Sequence, residues 1–215
     1  MIIDMKKTRS GMSADFIFSE KDNPNLYGAH VKLGIESPDI YFMQKDEEIF
    51  NLSSDEVPIE GWSIFSRDKV LSYIKEPNGD ICGEVSLKVA RRFVRGYKYI
   101  QINYNAELIN CYEVRMGKEG IFVCLYLGDR QIAMIEKSAS VHDNREDFYK
   151  IYIKEDKYAE IVCLYAVYYD YLNSENDNAF ITKSRKKDNE YTINKELKSK
   201  YNPQFKEECK EKARL

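Results

Sequence analysis

The chain has 215 residues, and its 33 lysines and arginines nearly balance its 36 aspartates and glutamates, which leaves a formal charge of −3. A dedicated nucleic-acid binder usually carries a strong basic excess, so this balance argues against that class. A hydrophobic share of 43% and an aromatic share of 13% are typical of a globular protein and exclude a disordered chain. The length predicts one large domain, or one domain with a tail, that folds without disulfides or metals.

Sequence features that bear on localisation predict a cytoplasmic protein. The stretch 10–15, which follows the first basic residues, lacks a continuous apolar core, so we expect no signal peptide. No apolar run reaches the roughly 18 residues of a membrane-spanning helix. The five cysteines form no CxxC pair, and Cys111, Cys124 and Cys163 lie inside apolar stretches, as small buried side chains do in a reducing compartment.

From about residue 14 to 153 the chain has the composition of short strands separated by turns. Asn78-Gly79 and Gly128-Asp129 supply the positive φ of tight hairpins, and both are predicted hairpin tips. Stretches rich in β-branched and aromatic residues predict strands at Ile100–Tyr104, Ile109–Met116, Ile121–Leu127, Gln131–Glu136 and Phe148–Ile153. Short strands at this spacing predict a sandwich or a barrel.

One segment departs from the strand pattern. Lys157–Leu172 is a continuous apolar run, too long for an ordinary strand, and as a helix its apolar side chains surround the axis. Such a helix must be buried on every side. A closed antiparallel barrel of about twelve strands encloses a helix completely and also removes sheet edges. The predicted fold is therefore mainly β, a closed barrel around a central hydrophobic helix.

The remaining residues, 174–215, differ from the body in composition. They are charged and net basic, and their apolar residues are scattered. We predict two regions, a barrel domain over 1–173 and a charged tail over 174–215, with a short helix at 204–213. Because few apolar groups are available to cross the boundary, we expect a solvated or loosely docked tail and a barrel that folds without it.

Three stretches carry a resemblance to a known family: GDRQIAMIEK at 128–137, DFYKIYI at 147–153 and the helix that ends in YYD at 168–170. Together they resemble the end of tubby C-terminal-like domains, and most closely the bacterial and LURP-one-related branch. The resemblance is clear over about 108–172 and general over 14–107. It implies a twelve-stranded closed barrel threaded by a helix. Two departures are the forty-odd residues after the helix and the absence of a family motif in 1–60.

The candidate binding site is a basic stretch at 88–98 in an otherwise acidic body. If this stretch is helical, four of its cations form one stripe; if it is extended, they divide between two faces. Either arrangement offers basic groups to phosphates, and the alternative is a solvated connector. The predicted anion-binding or lipid-binding residues are Lys88, Arg91, Arg92, Arg95 and Lys98.

Other candidate groups favour structural roles. His30 lies in a predicted strand and His142 in a polar loop, and neither has a second His or Cys at ligand spacing, so we predict no metal site and no cofactor. No GxSxG, P-loop or GxGxxG motif supports an enzyme. Asp170 opposes the dipole of the predicted helix and should therefore have a specific partner, which we interpret as backbone N–H groups at the helix exit.

Two hypotheses for function follow. Proteins similar to tubby bind phosphoinositides, so the resemblance implies a non-catalytic module, cytoplasmic or peripheral at the membrane, that binds phosphorylated lipid or an anionic surface. The lipid-contacting positions of tubby have no residue-by-residue match here, and none is carried over. The alternative is a cytosolic protein-interaction or scaffold module without lipid binding, which the acidic body favours.

Overall fold

The strands of this protein close into one barrel. The computed structural model describes residues 1–9, 13–33, 38–54, 69–90, 96–137, 148–173 and 191–214. Within them, each strand pairs antiparallel with its neighbour in the chain, and β1 pairs with both β2 and β12. The strands are β1 (Ile2–Arg9), β2 (Ser13–Glu20), β3 (Asn23–Leu33), β4 (Pro38–Gln44), β5 (Glu47–Ser53), β6 (Lys69–Lys75), β7 (Ile81–Ala90), β8 (Tyr97–Tyr104), β9 (Glu107–Arg115), β10 (Ile121–Leu127), β11 (Arg130–Lys137) and β12 (Phe148–Ile153). The predicted closed barrel of about twelve strands is confirmed.

Alternation along the strands determines which side chains enter the lumen. In β1, the alternate residues Ile3, Met5 and Lys7 are buried, whereas Lys6, which lies between two of them, is exposed. The same period of two places Ile40 and Phe42 of β4 inside. The barrel core is the set of these inward residues together with the helix that they surround.

Tight turns connect the strands at one end of the barrel. Gly79 and Gly128 have φ of +91° and +60°, which confirms the two predicted hairpin tips. Two other turns adopt positive φ without glycine, at Lys45-Asp46 and at Asn105-Ala106. The composition-based signals identified the first pair and missed the second.

A single long helix fills the lumen. A 3-10 turn at Asp156–Tyr158 leads into α1 (Ala159–Asn173), and every residue of α1 from Ile161 to Asp170 is buried. Since the apolar side chains surround the helix axis, only an enclosing sheet removes all of them from water. The prediction of a central helix at 157–172 is confirmed.

The C-terminal residues pack on the outside of the barrel more closely than the sequence predicted. α2 (Lys195–Lys198) and α3 (Gln204–Lys212) follow the described residue Tyr191. Phe205 and Cys209 of α3 are each 1% exposed, and the Tyr201 ring stacks on Phe122 with centroids 4.4 Å apart. We call the buried residues on this side the outer-face cluster: Tyr112, Phe122, Cys124, Tyr126, Met134, Tyr152, Phe205 and Cys209.

For residues 191–214 this packing corrects the expectation of a solvated tail; of the two predicted alternatives, the structure shows a docked helical appendage. The charged helix itself was predicted at 204–213 and lies at Gln204–Lys212. The error was to count only the apolar residues of the tail. The strands beneath it also present Phe122 and Met134 outward, and both are buried by the contact. Residues 174–190 lie outside the described part of the chain.

Candidate functional site

The two ends of the barrel are chemically different. At the end where α1 begins, which we call the turn rim, the Tyr158 hydroxyl donates to Glu107 at the start of β9 (3.3 Å). At the end where α1 stops, the exit rim, Asp170 faces Lys7 near the end of β1. Each rim comprises the residues within two positions of a strand end, the described connections between strands, and the residues at the corresponding end of α1.

Acidic residues predominate at the turn rim. They are Asp4, Glu20, Asp22, Asp46, Glu47, Glu48, Glu76, Asp80, Glu107, Asp129, Glu155, Asp156 and Glu160. The basic residues of that rim are Lys21, Lys45, Lys75, Arg130, Lys154 and Lys157. Within the described residues, the turn rim therefore carries a net negative charge.

Basic residues predominate at the exit rim. They are Lys7, Arg9, Lys32, Lys69, Lys88, Lys98, Arg115, Lys118, Lys137 and Lys150. The acidic residues there, with Asp170 included, are Asp15, Asp39, Glu113, Glu119, Glu136 and Asp170. Among the residues that the structure describes, basic residues therefore outnumber acidic ones at the exit rim, and acidic residues outnumber basic ones at the turn rim.

The described ends of the predicted anion-binding stretch, Lys88 and Lys98, lie at the exit rim. Lys88 lies in β7 and Lys98 in β8, so both positions have an extended backbone, which was one of the two predicted alternatives. Lys88 pairs with Tyr99, and Lys98 pairs with Val89. Since Val85 and Ile102 of the same ladder point inward, alternation places Lys98 on the inner face and Lys88 on the outer face. Arg91, Arg92 and Arg95 lie outside the described residues.

A buried polar group joins the end of α1 to the barrel wall. The Lys7 ammonium lies 3.1 Å from Asp170 Oδ2, and the Tyr149 hydroxyl donates to Asp170 Oδ1 at 2.6 Å. The side chains of Lys7 and Asp170 are 6% and 1% exposed. Lys137 lies over the Tyr149 ring, 5.2 Å from its centroid. The specific partner expected for Asp170 exists, and the described contacts come from side chains on β1 and β12.

Neighbouring residues of α1 make comparable contacts with other strands. The Tyr169 hydroxyl donates to Glu113 of β9 at 2.6 Å, and Arg115 holds the other oxygen of that carboxylate. Burial and the nearby Glu113 charge raise the pKa of Tyr169. Burial also raises the pKa of Tyr168 to about 12. These tyrosines therefore remain protonated, and the Tyr168 hydroxyl accepts a hydrogen bond from Ser72 of β6 at 3.4 Å, so this end of α1 is fixed to several strands of the wall.

Candidate catalytic groups have structural surroundings. His30 Nδ1 lies 2.6 Å from Asp15 Oδ1 on a half-exposed face, and His142 lies outside the described residues. No group of three or more metal-ligating side chains occurs within the described part of the chain. All five cysteines are free. Burial raises the pKa of the Cys124 thiol to about 12 and those of Cys111 and Cys163 well above the ordinary value, so these thiols are poor nucleophiles.

None of the helices in the described ranges has the length and apolar character needed to cross a bilayer. The geometry defines a class by architecture: a closed up-and-down barrel plugged by a buried helix, with one outer face covered by the C-terminal segment. Comparison of the chain with family models, curated proteins and solved structures yields no match.

Proposed function

We propose that the protein is a non-catalytic binding module of the tubby-like type that docks through its exit rim on an anionic surface, either phosphorylated lipid or an anionic membrane. The lumen is filled by α1, so a ligand binds at a rim or on an outer face. The observation that carries the proposal is the excess of basic residues at the exit rim, where Lys88 and Lys98 lie.

The polarity of the barrel supports one orientation. A basic residue close to an anionic membrane contributes about 1 kcal/mol, and this attraction falls off within a Debye length of about 10 Å at 0.1 M salt. Each strand rises about 3.3 Å per residue, so residues at the two ends of a strand of seven or more residues lie beyond that length from each other. The acidic turn rim then opposes docking only weakly when the exit rim faces the membrane.

Sedimentation with vesicles tests the proposal. The wild-type protein should sediment with vesicles that contain anionic phospholipid at low salt, and much less at about 0.5 M salt, because screening removes the attraction. Simultaneous change of Arg91, Arg92 and Arg95 to glutamate should abolish sedimentation. A matched control changes Lys21, Lys45 and Lys75 of the turn rim to glutamate and alters the net charge equally. The control should still sediment.

Two results would contradict the proposal. The first is wild-type protein that stays in the supernatant at low salt with vesicles containing either phosphatidylserine or phosphoinositide. The second is equal loss of sedimentation in both triple variants, since binding would then follow net charge and not the exit rim. Melting curves confirm that each variant is folded.

The second candidate function is a protein-interaction or scaffold module without lipid binding. The observation that favours it is the outer face of β9–β12, which already holds a helix of this chain through a few side chains. Such a face can bind a helix of another protein by the same contacts.

A further inference from the structure

The C-terminal helix α3 is attached to the barrel by very few apolar groups. Of its nine residues, Phe205 and Cys209 are buried, one turn apart on the same side, and the other seven are polar or charged. A helix that contributes to a core usually presents a broader apolar stripe. Attachment through anchors at i and i+4 is instead typical of an amphipathic peptide helix held in a groove.

The barrel recognises specific features of this segment. Phe205 enters the outer-face cluster beneath Lys154, whose ammonium lies 5.3 Å from the ring centroid. Tyr201, which lies in the connection four residues before Phe205, stacks on Phe122. These two aromatic contacts set the spacing that a ligand of this face has to match.

A charged contact fixes the register of the helix. Lys206 donates to Glu136 Oε1 at 2.7 Å, and the Tyr152 hydroxyl donates to Glu136 Oε2 at 3.1 Å. The Lys206 ammonium also lies 4.4 Å from the centroid of the Phe122 ring. Lys206 and Glu136 side chains are 16% and 26% exposed, so the pair is largely shielded from water. A ligand with an acid at the Lys206 position would place two carboxylates together.

We propose that the outer face of β9–β12 is a docking groove for an amphipathic helix of a partner protein, and that residues 191–214 occupy it as an intramolecular competitor. The partner segment carries an aromatic residue just before its helix, and within the helix a phenylalanine four positions later followed directly by a lysine, as Tyr201, Phe205 and Lys206 do. This proposal rests on the second candidate function and is independent of vesicle binding.

A partner protein is favoured over a second copy of this chain by the arithmetic of tethering. A tethered segment competes at an effective concentration of roughly millimolar. Because a second copy offers the identical segment, it would exchange only near that concentration. A partner helix with the same anchors and tighter binding displaces the segment at lower concentration.

Peptide binding to the full chain tests the proposal. A fluorescent peptide of residues 194–214 is titrated against the wild-type chain and against a Phe205→Ala chain, in which the internal competitor is weakened. The anisotropy should show binding to the Phe205→Ala chain that is at least ten times tighter than to the wild type. A Phe205→Asp peptide is the matched control and should not bind.

Charge reversal adds a measurement that nonspecific hydrophobic binding would not reproduce. Glu136→Lys in the Phe205→Ala chain should weaken the binding of the wild-type peptide by about tenfold, because a charge-assisted hydrogen bond is lost. A Lys206→Glu peptide should recover binding to that chain. If Phe205→Ala does not melt cooperatively, a Lys206→Ala chain replaces it, since loss of the contact with Glu136 weakens the internal segment and leaves its apolar anchors in place.

Three results would overturn the proposal. These are a folded Phe205→Ala chain that fails to bind the wild-type peptide, equal binding of the Phe205→Asp peptide, and failure of the reversed pair to recover binding. Sedimentation velocity of the wild-type chain completes the test, because a dimer well below millimolar concentration would identify a second copy as the occupant instead. The vesicle result changes none of these outcomes.

Discussion

Removal of the cation from the buried pair at the end of α1 should strongly destabilise the fold. In a Lys7→Met chain, the Asp170 carboxylate keeps its 1% exposure but loses the ammonium 3.1 Å away. Breaking a buried ion pair on one side costs about 3–5 kcal/mol, because the remaining charge stays in a medium of low polarity. That is a large part of the roughly 5–15 kcal/mol by which a domain is stable.

Replacement of both partners should recover most of this loss. In a Lys7→Met, Asp170→Leu chain no charge remains to be desolvated, and such replacements are often neutral or stabilising by about 1–4 kcal/mol. Tyr149→Phe removes the hydrogen bond to the carboxylate and should cost about 1.5–3 kcal/mol. The cost of Lys7→Met should therefore depend strongly on whether Asp170 is present.

Urea unfolding, followed by circular dichroism, measures these free energies. Lys6→Met provides the matched control, because Lys6 is the exposed neighbour of Lys7 on the same strand and should change stability by only about 0.5 kcal/mol. The reasoning is refuted if Lys7→Met costs no more than Lys6→Met. It is also refuted if the effects of Lys7→Met and Asp170→Leu simply add in the double variant.

Three further predictions concern the core, the tail and the thiols. Leu164→Asp should prevent folding, since it places a charge inside the closed barrel; a soluble variant with a cooperative melt would show that the helix is not enclosed. A chain that ends at Asn173 should aggregate or bind a hydrophobic dye, because Phe122 loses its cover; a monomer that melts like the full chain would contradict this. At pH 8 Ellman's reagent should modify Cys124 only on unfolding, because its pKa is raised to about 12, whereas the half-buried Cys82 should react first; rapid modification of Cys124 in the native protein would disagree.

Local sequence signals were sufficient for the central helix and for two of the strands. Ile121–Leu127 and Phe148–Ile153 were predicted to the residue, and the helix to within two residues at its start and one at its end. These elements have periodicities and turn residues that act over a few positions. Burial on all sides then required a closed sheet, which is why the barrel followed from the helix.

Features that join distant residues were not predictable from local patterns. Lys7 meets Asp170 across 163 residues, so the sequence indicated that Asp170 needs a partner without identifying it. The turns at Lys45-Asp46 and Asn105-Ala106 have positive φ without glycine because the flanking strands hold them in register. The buried outer face was missed for a similar reason. Its apolar residues come both from the tail and from the strands beneath it, which are far apart in the sequence.

The candidate site was located in part by the sequence. Charge is visible in composition, so the basic stretch at 88–98 could be singled out, and its described residues Lys88 and Lys98 lie at the exit rim. The opposite faces of Lys88 and Lys98 depend on the register between β7 and β8, which composition does not encode. The unequal balance of charge at the two rims, counted over the described residues, was also missed, since it emerges only when alternate strand ends are brought together.

Hydrogen–deuterium exchange on vesicles would test the proposed function most directly, because it reports which rim faces the membrane. With anionic vesicles at low salt, the amides of 88–98 and of the neighbouring exit rim at Lys69 should exchange more slowly than in the free protein. The amides at Lys21 and Lys45 of the turn rim should exchange at the same rate with and without vesicles. Slower exchange at the turn rim, or no change at either rim while the protein is bound, would contradict docking through the exit rim.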